Sequence, residues 1–142
     1  MTLEALIAHH EIERLLNAFA RAMDERDWGR IAEILVEDVV VDVGEGQLTS
    51  SAAFIATMRR YLDACGPTQH LLGNLIVDVQ GEEARSRCYV SDMHLGVGER
   101  SHLTFATLGD YHDRWKKIDG AWRMIERVKH NRAHLGSLDV FG

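Results

Sequence analysis

Apolar residues return every three or four positions through the first two dozen residues. Ile12, Leu15, Leu16, Phe19 and Met23 form one stripe, so the spacing predicts an amphipathic helix over residues 3–24. Asp27 suits the N-cap of a second helix, in which Trp28, Ile31, Ile34 and Leu35 make the apolar side. "VVVDV" at 39–43 then reads as a short strand, and "GEG" at 44–46 as its turn. Thr49 or Ser50 caps a third helix carrying Phe54, Ile55, Met58, Tyr61 and Leu62. That helix stops before Gly66 and Pro67, the only proline.

After Pro67 the period changes from helical to alternating. The segments 68–79, 84–95, 101–117 and 121–131 read as strands parted by "QGE", "GVGE" and "KIDGAW". Asp119-Gly120 is a strong two-residue hairpin signal. Helices followed by a four-stranded antiparallel meander make an α+β fold. Strands this long twist and coil, so the expected sheet is curved and mostly antiparallel, a cone with the three N-terminal helices on its concave face. Such an enclosure suits a small apolar ligand held by a few placed polar groups.

The 142 residues fit a single domain, 1–142, with no repeat or linker. The formal charge of −6 and the absence of a basic block argue against nucleic-acid binding. The N-terminal stretch has no basic n-region, and Glu4, Glu11 and Glu13 interrupt any apolar run, so neither a signal peptide nor a membrane span is expected. The two cysteines, Cys65 and Cys88, form no metal-ligand spacing and fit a reducing, cytoplasmic compartment. His9 and His10 diverge on a helix, and His102, His112, His130 and His134 form no compact ligand motif, so no metal is expected. "DERD" at 24–27 and "DRWKK" at 113–117 read as solvated charge. The mildly apolar tail "AHLGSLDVFG" is free to pack on a neighbouring subunit or to cover a pocket mouth.

Strict alternation sorts the strand residues into faces. His70, Leu72, Asn74 and Ile76 share one; Cys88, Val90, Asp92 and His94 share another. Arg127 falls with Ile125, Lys129 and Asn131, while Glu126 falls with Trp122, Met124 and His130. Asp24 closes the first helix, where the macrodipole is negative; that position and any burial would raise its pKa toward the range of a general base. Read alone it is more simply a surface charge.

The long first helix ending in Asp-x-x-Asp-Trp, the short strand, the third helix, "PTQHLLGNLIVDV" and "DGAWRM" together resemble the SnoaL-like branch of the nuclear transport factor 2-like superfamily. The likeness spans roughly residues 5–132 and includes its scytalone dehydratases, hexachlorocyclohexane dehydrochlorinases and bile-acid dehydratases. It implies a cofactor-independent lyase or isomerase of dehydratase type, acting on a small apolar or cyclic substrate. An aspartate, here Asp24, would orient and charge a histidine, here His70, which removes a proton from carbon. A second pocket histidine falls near His94, and a pocket arginine near Arg127. Phe19, Asn74, Val90 and Asp92 complete the expected substrate contacts. The family's first-helix tyrosine is missing, since that stretch offers only Phe19; His94, Asn74 or Arg127 could supply the donor instead.

The chemistry is coherent on its own terms. An imidazole is a suitable base near neutral pH, and a carboxylate on its far nitrogen fixes the tautomer and stabilises the imidazolium. The main alternative is a non-catalytic ligand-binding or assembly module on the same fold. A weaker one is a water-adding hydrolase of epoxide-opening type, for which Asp92 would be the further carboxylate. The expected partners are a small-molecule substrate and further copies of the chain, in a homodimer or homotrimer.

Overall fold

The computed structural model describes residues 1–142. Three helices, α1 (Leu3–Glu25), α2 (Trp28–Ile34) and α3 (Ser51–Leu62), pack on a curved, unclosed sheet. Its strands are β1 (Leu35–Asp42), β2 (Gln47–Leu48), β3 (Thr68–Gln80), β4 (Glu83–Leu95), β5 (Thr104–Ile118) and β6 (Ala121–Gly136). They lie in the order β2-β1-β6-β5-β4-β3. The expected meander is therefore present as β3 to β6, and β1 joins it in parallel along β6. The predicted 101–117 strand starts late because Gly98–Arg100 forms a 3-10 turn.

Each helix begins where a short polar side chain can satisfy a free backbone N–H. Thr2 accepts from the amide of Ala5 (3.1 Å), Asp27 from Arg30 (3.1 Å) and Ser50 from Ala53 (3.0 Å). The apolar stripe of α1 buries Ile12, Leu16, Phe19 and Met23 in one core with Ile31, Val39, Phe54, Trp115 and Met124. Trp115 is fully buried, and its indole N–H donates to Ser86 Oγ at 2.8 Å, which removes the cost of hiding that donor.

Strict alternation fails at three places along the meander, one of them in the exposed end of β6 opposite Leu108 and Gly109, and the other two matter for the interior. In β3 the register against β4 shifts between Gly73 and Ile76, and Asn74 takes a left-handed φ of 54°. Asparagine tolerates that conformation better than most residues. The extra residue reverses the facing, so Thr68, His70 and Leu72 turn toward the helices before it, and Leu75, Val77 and Val79 after it. Asn74 and Ile76 are exposed, which corrects the expectation that Asn74 lines the site. In β6 a shift opposite Arg114 and Trp115 inserts one residue. Trp122, Met124 and Arg127 all become buried as a result, against the expected grouping of Arg127 with Ile125.

Arg127 enters this interior already paired. Its Nε and Nη2 donate to the two oxygens of Asp113 at 2.7 and 2.9 Å, and both residues are 2% exposed. Burial disfavours the guanidinium charge, but Asp113 more than compensates and raises its pKa above the ordinary value. Removing one partner would leave a charge stranded without water. Asp113→Ala is expected to cost about 3–5 kcal/mol of stability, read by chemical denaturation; a loss under 1 kcal/mol would mean that water reaches Arg127.

Candidate active site

Helix α1 ends on a residue that is not glycine. Arg26 closes it in the left-handed region, with φ at 59°. The strain is balanced by its side chain, which folds back to bond the helix end and reaches across to the start of β3. Nη1 donates to the carbonyl of Met23 (2.8 Å) and to Thr68 Oγ1 (2.8 Å), and Nη2 to the carbonyl of Gly66 (2.9 Å). Arg26 is thus a half-buried clamp, whereas the charge run around it reads as solvated in the sequence.

The clamp brings Asp24 against β3. His70 Nδ1 lies 2.7 Å from Asp24 Oδ1, the His70 amide donates to Oδ2 at 3.0 Å, and Thr68 Oγ1 donates to Oδ1 at 2.9 Å. A carboxylate can only accept, so Nδ1 carries the proton and Nε2 keeps its lone pair. Burial alone would raise the Asp24 pKa. The bonds from the His70 ring and amide outweigh it, and the carboxyl sits below the ordinary aspartate range. This corrects the expected upward shift: Asp24 is an ionised acceptor for the His70 ring and amide.

His94 stands beside this pair, its ring centroid 5.7 Å from that of His70 in an edge-on arrangement. Its Nδ1 is 3.0 Å from the carbonyl of Phe105, an acceptor, so His94 too carries its proton on Nδ1 and presents a bare Nε2. Burial lowers its pKa below the usual histidine value, against the pull of nearby Asp92. A neutral His94 with that tautomer accepts hydrogen bonds and does not donate them from Nε2.

Asp92 faces inward as expected but is already engaged. Its Oδ1 accepts the Thr107 amide (3.0 Å), and its Oδ2 accepts Thr107 Oγ1 (2.7 Å) and Lys129 Nζ (2.8 Å). Burial works against its charge, and the Lys129 ammonium and these bonds together win, holding its carboxyl below the ordinary range. Val90 is buried between the His70 end and Cys88, whose thiol burial pushes up to about 11, so no thiolate is available there. Phe19 lies deeper, its ring 4.6 Å from the Arg127 guanidinium. Phe141, from the 3-10 turn Leu138–Phe141, stacks edge-on to His94 (5.0 Å) and Tyr61 (5.3 Å), so the tail covers this end of the cone. A surface cleft of about 730 Å³ lies elsewhere, beside Met1, Ala5 and His9 at the far end of α1.

The order of elements and the curved sheet go with a match to a domain model, the SnoaL-like domain, over residues 4–128. The chain belongs to the SnoaL-like domain family. Uncharacterized protein Rv2910c of Mycobacterium tuberculosis is 26% identical over 124 residues, covering 84% of this chain and 82% of the relative. A scytalone dehydratase-like protein from Novosphingobium aromaticivorans superposes with a TM-score of 0.87 at 25% identity, over 96% of this chain and 92% of the other. Hexachlorocyclohexane dehydrochlorinase LinA-type3 from Novosphingobium barchaimii gives 0.83 at 17% identity, over 95% and 93%. The SnoaL-like chain therefore has the nuclear transport factor 2-like fold found among dehydratase-type proteins.

Sequence reasoning missed Arg26, Thr68, Thr107 and Lys129. Thr68 had a signal, because it precedes His70 by two and so shares its face. Lys129 had none, because a lysine on a strand is ordinarily a solvent residue.

Two pH effects of the same sign, in different windows, follow from these shifts. The Asp24 carboxyl is lowered in the folded chain, so its contribution is present above its unfolded pKa, about 3.9, and is lost as pH falls through the folded value. His94 is lowered too, so the folded state resists its protonation, and stability should decline as pH falls below about 6.5. His94→Gln is expected to flatten stability between about pH 6.5 and 5, and Asp24→Asn to flatten it only in stronger acid. Denaturation midpoints across pH check both; an unchanged slope in His94→Gln would show that the ring protonates freely in the fold.

Proposed function

We propose that the chain is a cofactor-independent lyase or isomerase of dehydratase type, in which the Asp24–His70 pair removes a proton from carbon. The single observation that carries this reading is the 2.7 Å contact between Asp24 Oδ1 and His70 Nδ1, because it fixes the tautomer that leaves Nε2 as a base. Nε2 takes a proton from a carbon next to an electron-withdrawing group, and the carbon's electron pair moves toward that group. Collapse of the resulting enolate breaks the bond to a leaving oxygen on the neighbouring carbon. That oxygen departs with the proton from the His70 imidazolium, so the products are an alkene and water. Without a leaving group, the same proton returns at another carbon and the double bond migrates. Throughout, Asp24 stabilises the imidazolium. Neutral His94 accepts a hydrogen bond from a substrate hydroxyl and holds it in line.

A non-catalytic binding module does not require the carboxylate to meet the imidazole, so their contact weighs against it. A hydrolase of epoxide-opening type needs a further carboxylate free to activate water, whereas Asp92 is engaged by Thr107 and Lys129.

The test needs no knowledge of the natural substrate. Cyclic ketones such as 2-tetralone and 1-indanone, with their β-hydroxy derivatives, are incubated with the protein in heavy water and followed by NMR. Deuterium exchange next to the carbonyl, or loss of water from the hydroxy ketones, is expected. His70→Ala and Asp24→Asn should each lower that rate by about 10²–10⁴ while melting normally. Full rates in both variants, or no exchange by the wild type across the panel, would overturn the reading.

A homodimer or homotrimer formed through the convex sheet face is part of the same proposal. Leu71 and Leu108 are exposed there, and with Tyr89 they wall an apolar cleft of about 350 Å³. Leu108→Lys is expected to lower the mass seen by light scattering to that of one chain. A wild type that already runs as a monomer would sink the idea.

A further inference from the structure

The convex face of the sheet has two unlike halves. Toward the mouth it is apolar, with Leu71 and Leu108 exposed in one cross-strand row. Beyond the row of Tyr89 and Asp110 it turns basic. Arg85 pairs in register with Arg114, and Arg87 with His112, so two successive rows of β4 and β5 hold four groups that carry or can carry positive charge. His130 on β6 extends the block, its ring centroid 4.7 Å from that of His112 in an edge-on arrangement. All five side chains are exposed, and they line one cleft of about 440 Å³.

Like charges directly opposite each other across a sheet are destabilising. The chain nevertheless sets Arg85 against Arg114, although its net charge is −6. Of the three arginines only Arg114 is ion-paired, to Glu126 at 3.5 Å. Asp78 stands opposite Arg85 in register without forming an ion pair. Asp113 also borders the cleft, but its carboxylate is turned inward onto Arg127. Asp110, which acts electrostatically on both histidines, is engaged by Arg132 at 2.7 Å. Arg87 is left between Ile76 and His112, with no carboxylate across either neighbouring strand.

We propose that this cleft binds a diphosphate group, free or borne by a small organic molecule, with Arg87 at its centre and Arg85, Arg114, His112 and His130 around it. Neighbouring strands lie about 5 Å apart and alternate residues of one strand about 7 Å, so the block surrounds a patch of that size. A single carboxylate fills one guanidinium fork, whereas linked phosphates offer oxygens to several forks at once. Each imidazole adds one N–H in either neutral tautomer. The block is bounded by Asp110 on one side and Glu83 on the other, so it suits a compact anion and not a nucleic-acid strand, which needs a longer track of cations. Ile76 and Val128 end the row of Arg87 and His112 and give an apolar rest for an organic group. The bound anion lies between Arg85 and Arg114 and offsets their repulsion. None of this depends on the chemistry of Asp24 and His70, which face the other side of the sheet.

Calorimetric titration at physiological salt, with pyrophosphate and with adenosine diphosphate, tests the assignment. Saturable binding of at least one is expected from the wild type. Arg87→Gln, an exposed change with little effect on the fold, should weaken it by about tenfold or more. Lys116→Gln removes the same charge from the same face outside the cleft, and should leave binding unchanged. Tighter binding of adenosine diphosphate assigns the cleft to an organic diphosphate; equal or tighter binding of pyrophosphate assigns it to the free anion. His70→Ala should bind both as the wild type does, so a failure of the proton-abstraction reading, seen in ketone exchange, stays separate from a failure of this one. No saturable binding by the wild type, unchanged binding by Arg87→Gln, or an equal loss in Lys116→Gln would each overturn the proposal.

Discussion

The contact on which the site depends is the seam between the end of α1 and the beginning of β3. One carboxylate, Asp24, accepts from Thr68, from the backbone of His70 and from its ring. Those bonds fix a strand entry and a histidine tautomer together. They need the helix to end where it does, and Arg26 sets that end by taking a left-handed conformation and bonding both Met23 and Gly66. A clamp made of charge-assisted bonds is stronger than neutral ones and poorly replaced by water. The local strain at Arg26 is thus coupled to the orientation of a ring two elements away.

The two histidines show how the same tautomer can serve different ends. Both have the proton on Nδ1 and a bare Nε2, but the acceptors behind them differ. A carboxylate stands behind His70, the arrangement that orients an imidazole in hydrolase triads. Behind His94 stand a carbonyl and, at 3.6 Å, the already engaged Asp92, and burial outweighs their pull. Burial disfavours charge on the second ring. Two adjacent imidazolium rings would repel, so charge on one opposes charge on the other.

The sequence carried the elements well and the interior only in part. Thr2, Asp27 and Ser50 cap helices by a short-range chemistry that composition reveals. The pairing of Asp24 with His70 came from the order of elements and a family likeness, since no local pattern joins residues forty-six apart. Alternation sorted β4 correctly because that strand has no bulge, and its buried residues run from Ala84 to His94 without a break. It failed on β3 and β6, where one inserted residue reverses every facing beyond it. Asn74 is the instructive case: asparagine in a strand is a weak sign of a left-handed residue, and reading it as such would have removed it from the site.

Lys129 was hidden for a different reason. Its burial depends on Asp92 and Thr107 across two strands and on the absence of a side chain at Gly109. No property of the lysine itself announces that environment. Once it is inside, the arithmetic of charge constrains the chemistry. Each interior cation has its own carboxylate, so attraction for an anion is spent within the protein, while hydrogen-bond donors remain.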